Sequence, residues 1–113
     1  VFNPALENKP VAICSNNDGC LIARSSEVKT IPGMKMGIPY FQIKDKLTKY
    51  NIKIFSSNYT LYADLSNRVM SILGSFGVRQ EIYSIDESFL DLTGIPNLTN
   101  HGQKIRSTVR QWV

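Results

Sequence analysis

Two carboxylates, Asp86 and Glu87, stand side by side in the string EIYSIDESFLDL (81–92), between apolar runs. Adjacent acids on a helix project about 100° apart and cannot share one ligand, and pleating sends neighbouring strand side chains to opposite faces. A tight turn between two strands relaxes both constraints, so a pair placed there can converge above a sheet edge. Hard cations such as Mg2+ take carboxylate and phosphate oxygens, and two-metal phosphoryl transfer needs several carboxylates close to the metals. On spacing alone a plainer reading leads: an acidic turn that keeps a sheet edge solvated. Acid–base work of the glycosidase kind ranks below both, because no sugar-binding aromatic cluster surrounds the pair.

The elements that position the pair follow from periodicity. From Val78 the pattern switches to period two, giving one strand over 82–85 and another over 89–92, with the acids near the turn. A long helix precedes them over 59–76, with Leu61, Leu65, Val69, Ile72 and Phe76 at helical spacing, Asn58 as N-cap and Gly77 as a C′ glycine. Nearer the start, PVAIC (10–14) and CLIAR (20–24) read as strands around the turn SNNDG, together a hairpin. SSEVK (25–29) pairs capping hydroxyls with Glu27 and starts a short helix that stops before Pro32. After the loop GMKMGIP, Pro39 suits the first turn of an amphipathic helix. Its apolar face is Ile43, Leu47 and Tyr50, and its other face carries Lys44, Lys46 and Lys49. IKIFSS (52–57) is a further strand, and a last helix begins near Thr99, with Thr99 or Asn100 as cap. The class is α/β or α+β with a small mixed or antiparallel sheet.

At 113 residues and 42% hydrophobic, one core forms without disulfide or metal staples. Net charge is +4, which is compatible with a polyanionic partner such as nucleic acid. Cys14 and Cys20 read as buried reduced thiols; with no CxxC or Cys/His cluster, zinc is not expected. No apolar run approaches ~18 residues, so no membrane span is expected, and the opening has no signal-peptide pattern. VFNPALENKPVAI reads as mid-domain sequence and IRSTVRQWV stops inside a helical pattern, so a piece of a larger protein is expected.

YSIDESFLDLTG (83–94) closely resembles the S-[IL]-D-E-[AS] signature of the Y-family, or translesion, DNA polymerases. The resemblance extends along nearly the whole chain. NPALENKPVAI (3–13) is similar to the loop into the second palm strand. SNNDGCLIARSSEVKTIPGMKMGIPYFQIK (15–44) resembles the fingers, and FSSNYTLYADLSNRVMSIL (55–73) resembles the helix before the catalytic hairpin. The SNNDGC and SSNYTLYADLSNRVM strings point to the UmuC-like branch, the ImpB/MucB/SamB group of bacterial, plasmid and phage proteins.

The resemblance implies a ferredoxin-like polymerase palm sheet with a small fingers subdomain, incomplete at both ends. Residues 1–19 would be the palm entry strand and loop, 20–55 the fingers, and 56–113 the palm. Asp86 and Glu87 would be catalytic, holding Mg2+ of a two-metal site against the incoming nucleotide and the primer 3′-OH. Ser26 and Lys29 would contact the triphosphate, where the family places a Tyr or polar residue and an Arg or Lys; Lys29 lacks the bidentate fork of Arg. Ile22 and Ala23 would lie under the nascent base pair, small enough to leave the pocket open to damaged templates. The third catalytic carboxylate of the family, and the aromatic that excludes ribonucleotides, belong to a string upstream of the region matching Val1. This stretch alone is therefore not expected to polymerise. Pro32 reads as a one-residue insertion in the fingers loop.

The expected substrates are primer–template DNA and dNTP, and the expected partners a UmuD-type dimer, a recombinase filament and a sliding clamp, in the bacterial cytoplasm at the nucleoid. Two other functions compete: a diguanylate-cyclase-like nucleotidyl cyclase, against which Ser84 and Ile85 stand where its two glycines belong, and a non-catalytic DNA- or protein-binding module that kept the fold. Around the site, Asp91 is expected to be a hydrogen-bonded strand residue, and Ser84 and Ser88 to satisfy turn hydrogen bonds. Arg68 is expected either on phosphate or in a salt bridge, and Tyr59 and Tyr62 in packing. Lys44, Lys46, Lys49 and Lys53 read first as a solvated face and second as an attraction for DNA backbone. His101 is given no role.

Overall fold

The computed structural model describes residues 2–113, and the chain divides between Asn58 and Tyr59 into two units. In the first, β1 (Val11–Cys14) runs between β2 (Leu21–Arg24), antiparallel to it, and β3 (Lys53–Ser56), parallel to it. Alternation decides which face of β1 is buried: Ala12 and Cys14 point inward. The SNNDG turn closes the expected hairpin around Ser15. Its hydroxyl accepts from the Gly19 and Cys20 amides, both at 3.2 Å, while Asp18 takes a left-handed φ of 54°.

The connection from β2 to β3 carries two helices, α1 (Ser26–Lys29) and α2 (Lys44–Lys49). Ala12, Leu21, Val28, Met34, Ile43 and Ile52 make one core cluster, with Ile31, Ile38, Leu47 and Ile54 packed on it. Burial of each large side chain in it contributes about 1.5–3 kcal/mol.

Several expectations need correction here. The Ser25 side chain does not cap α1; its hydroxyl accepts from the Val11 amide at 3.0 Å and donates to the Lys9 carbonyl at 3.2 Å, tying the helix start to β1 instead. The helix expected over 40–50 is a 3-10 turn (Tyr40–Gln42) followed by α2, with Ile43 at the joint, its φ stretched to −114° and its side chain in the core. Pro39 is the extended residue before that turn rather than a member of it, and Tyr50 stands outside the core with Lys49 over its ring. Cys14 is buried as expected, whereas Cys20 is half-buried; both are free thiols.

The second unit contains α3 (Tyr59–Gly74), the hairpin β4 (Gln80–Ile82) and β5 (Ser88–Leu90), and α4 (Leu98–Trp112). The long helix stops at Gly74, short of Phe76. Its last turn tightens instead of ending on a left-handed glycine: the Ser75 and Phe76 amides bond back to Ile72 and Leu73, and the Ser75 hydroxyl adds a bond to the Ile72 carbonyl at 2.6 Å. Gly77 sits in a close passage: a Cβ there would lie 3.2–3.3 Å from Leu90 Cβ and the Arg79 and Asp91 carbonyls, tighter than usual for a side chain.

Asn97 caps α4, its side chain accepting from the Asn100 amide at 3.1 Å, so neither Thr99 nor Asn100 is the cap. His101 Nε2 donates to the Phe76 carbonyl at 2.7 Å, and its ring meets that of Phe76 edge-on; the carbonyl only accepts, which fixes the tautomer. Among the described residues no helix is long and apolar enough to cross a membrane.

Candidate active site

Both hairpin strands are shorter than periodicity suggests, and the first is displaced toward the N-terminus. Residues 83–87 leave the ladder because the Tyr83 and Ser84 amides both donate to the Glu87 carbonyl, at 3.0 and 3.1 Å, closing a compact loop. Asp86 and Glu87 end that loop, immediately before β5. Three further ties hold it within its unit. Ser66 of α3 donates to the Ile85 carbonyl. The Gln80 amide nitrogen of β4 reaches the Met70 carbonyl at 3.0 Å and the Ser88 hydroxyl at 3.2 Å. Gly74 admits Gln80, since a Cβ there would stand 2.6 Å from its Oε1.

At the crown of the loop, the Ser84 hydroxyl donates toward Asp86 Oδ1 at 2.8 Å and Glu87 Oε2 at 3.2 Å. One hydroxyl thus marks a point on which two adjacent carboxylates converge, as a tight turn permits and a regular helix or strand does not. A largely apolar cavity of about 670 Å3 opens beside Asp86, lined by Tyr59, Tyr62, Leu65, Met70 and Ile85 among others. Both acids are exposed to solvent.

The donor set fits Mg2+. That ion is held by one or two carboxylates, with water and substrate phosphate completing its octahedron. Among the described residues no group of three or more His, Cys, Asp or Glu side chains is placed to hold a metal ion, so the protein ligands here are this pair of carboxylates.

Asp91 lies one residue past β5 and serves structure. It accepts from the Thr93 hydroxyl at 2.6 Å and the Thr93 amide at 3.0 Å, and pairs with Arg79 at 3.5 Å. The Thr93 bonds foremost, with Arg79 behind them, hold its carboxyl below the ordinary carboxylate range.

The other candidates lie in the first unit. Ile22 and Ala23 are consecutive on β2, yet both are exposed. The ladder explains this: Ile13 faces Ala23 and Cys14 faces Leu21, which leaves Ile22 as an extra residue opposite the Ile13–Cys14 link. Such a bulge breaks the alternation and re-aims side chains. Ser26 opens α1 and Lys29 closes it, both exposed; among the described residues neither side chain is engaged in a hydrogen bond or ion pair.

Of the surface cations, Lys46 donates to the Pro32 carbonyl at 2.6 Å, and Lys44 lies over the Tyr40 ring. Arg68 pairs with Asp64 at 2.9 Å on α3. Tyr59 and Tyr62 meet edge-on at 6.3 Å. Sequence reasoning missed the three anchors Ser66, Gly74 and Gln80, which carry no periodic signal.

Comparison with known proteins is consistent along the chain. A family model described as impB/mucB/samB matches residues 1–113. Protein UmuC of Salmonella typhimurium is 53% identical over 96% of this chain, and a DNA polymerase IV of Metallosphaera sedula is 33% identical over 82%. Among solved structures, a Dbh ternary complex superposes over 97% of the chain and 33% of its own, with a TM-score of 0.81 at 25% identity. The chain spans about a quarter of the length of the curated relatives it matches, 26% for UmuC and 27% for the polymerase IV.

Proposed function

The chain belongs to the impB/mucB/samB family, and from that premise we propose that it is the palm-and-fingers part of an error-prone translesion DNA polymerase, whose reaction is template-directed nucleotidyl transfer. The observation that carries the reading is the convergence of Asp86 and Glu87 on the Ser84 hydroxyl, in a loop anchored to α3. The 33% identity to a protein named as a DNA polymerase supports it independently.

Asp86 and Glu87 are proposed as the catalytic, Mg2+-holding carboxylates of this part. Bound there, Mg2+ would offset charge developing on the transferred phosphoryl group and favour ionisation of the primer 3′-OH. The chain's own contribution is positional. The loop fixes where the two carboxylates point, Lys29 and Ser26 offer an ammonium and a hydroxyl to the triphosphate, and the bulged pair Ile22 and Ala23 presents a small apolar surface to the nascent base pair. Residues 56–113 take the palm role and 20–55 the fingers role, with 1–19 as the entry segment; the division of the chain at Asn58 and Tyr59 supports a boundary in that region.

Primer–template DNA and dNTP are the proposed substrates. The proposed partners of the full-length protein are a UmuD-type dimer, a recombinase filament and a sliding clamp, in the bacterial cytoplasm at the nucleoid.

The test is primer extension by the full-length protein with Mg2+, compared with its Asp86→Ala, Glu87→Ala double variant. Loss of extension with an unchanged circular-dichroism spectrum is expected, by a factor of at least about 10^3 when charge stabilisation at the phosphoryl group goes. Undiminished extension by the double variant overturns the assignment.

A further inference from the structure

We propose that Ser84 is a positioning residue for the carboxylate pair: its hydroxyl holds Asp86 and Glu87 convergent before a cation arrives. This rests on the reading of those two acids as metal ligands. Like charges that share a site repel, so an unassisted pair on an exposed loop would splay. Ser84 supplies a counterweight. Its oxygen lies 2.8 Å from Asp86 Oδ1 and 3.2 Å from Glu87 Oε2, and it accepts from the Asp86 amide at 3.4 Å. A hydroxyl has one proton and two lone pairs. With a lone pair taken by that amide, the proton is left for the carboxylates and can alternate between them.

The hydroxyl is itself held in place. The Ser84 amide donates to the Glu87 carbonyl at 3.1 Å, and Ser66 pins the next carbonyl, that of Ile85. The serine therefore occupies a rigid backbone position from which one small donor reaches both acids. A cation entering the loop meets two carboxylates already tethered to one hydroxyl rather than splayed apart, which is the preorganisation a metal site requires. Ser88, on the other side of the acids, is engaged by Gln80 and does not take this part.

The test titrates Mn2+ alone into the full-length protein and follows free Mn2+ by electron paramagnetic resonance, for wild type, Ser84→Ala, Ser84→Thr and the Asp86→Ala, Glu87→Ala double variant. Ser84→Ala is expected to weaken Mn2+ binding about tenfold, the scale of one lost hydrogen bond to a charged group. Ser84→Thr, which keeps the hydroxyl, is expected to restore it, and the Mg2+ midpoint of primer extension should shift in the same direction with little change at saturating Mg2+. Equal Mn2+ affinity in wild type and Ser84→Ala, while the double variant loses binding, overturns the role of Ser84 and leaves the metal reading standing. Wild-type binding by the double variant overturns the metal reading itself. Should Ser84→Ala fail to fold, Ser84→Cys keeps the shape with a weaker donor; affinity equal to wild type there also overturns the proposal.

Discussion

Ser66, on α3, donates its hydroxyl to the backbone carbonyl of Ile85, the residue immediately before the carboxylate pair. The bond crosses 19 residues of sequence and couples the crown of a surface loop to the longest helix of its unit. Ser66→Ala removes the donor and leaves the carbonyl to solvent, since Ile85 is half-exposed. The expected cost is about 0.5–1.5 kcal/mol, that of one ordinary hydrogen bond, read from denaturant unfolding. The diagnostic measurement is amide hydrogen exchange: residues 83–87 should exchange faster, while α3 keeps its protection. Unchanged exchange in the loop would mean that the Glu87 carbonyl bonds and the Gln80 ties hold it without Ser66.

Lys29 closes α1 with an exposed ammonium that is unpaired among the described residues. If it takes a triphosphate, Lys29→Ala removes an interaction made with the nucleotide and not with the primer. The KM for dNTP is then expected to rise about tenfold or more, the scale of one charge-assisted contact, with a much smaller change in primer–template Kd. Lys29→Arg keeps the charge and should recover most of the loss. A larger effect on primer binding than on nucleotide KM removes Lys29 from the triphosphate role and makes it a DNA-backbone contact.

Local signals carried much of this architecture and stopped where long-range contacts took over. The SNNDG hairpin was legible because Asn, Asp and Gly accept left-handed backbone wherever they occur, and Asp18 does so here at φ 54°. The strand at 10–14 was legible as a short apolar run, but its buried face was not, because all four residues of β1 are apolar. What periodicity could not reveal was the use made of hydroxyls. Ser25 has the sequence context of a cap, but its oxygen goes to Val11, 14 residues away, because β1 passes close to the helix start. The end of α3 was misplaced for a related reason. Gly77 resembles a left-handed stop, whereas its lack of a side chain serves the close passage of Leu90, a contact between residues far apart in the chain. The bulge at Ile22 was equally silent, since it arises from pairing register and not from composition. At the carboxylate loop, spacing alone favoured an acidic turn; the family string around it raised the metal reading, and the geometry adds the convergence on Ser84 that neither could supply.

Asp91 offers a pH test separate from the candidate site. Its folded-state pKa lies below the ordinary carboxylate range, chiefly through the Thr93 hydroxyl and amide and then through Arg79. The unfolded chain therefore takes up the proton first as pH falls. The stabilisation from ionised Asp91 is fully present above the ordinary carboxylate range and is lost as pH drops through the lowered folded value. Thr93→Val removes the largest cause and keeps the backbone amide, so the Asp91 carboxyl should titrate closer to the ordinary value in a 13C NMR titration. Arg79→Ala should move it less, because that pair is long at 3.5 Å and the guanidinium is 85% exposed to screening. In melting experiments the gap between wild type and Thr93→Val should narrow as pH falls below the carboxylate range, because both folded forms are then protonated at Asp91. A larger NMR shift from Arg79→Ala than from Thr93→Val would reverse this order of causes and make the ion pair, not the Asp91–Thr93 turn, the feature that holds the end of β5.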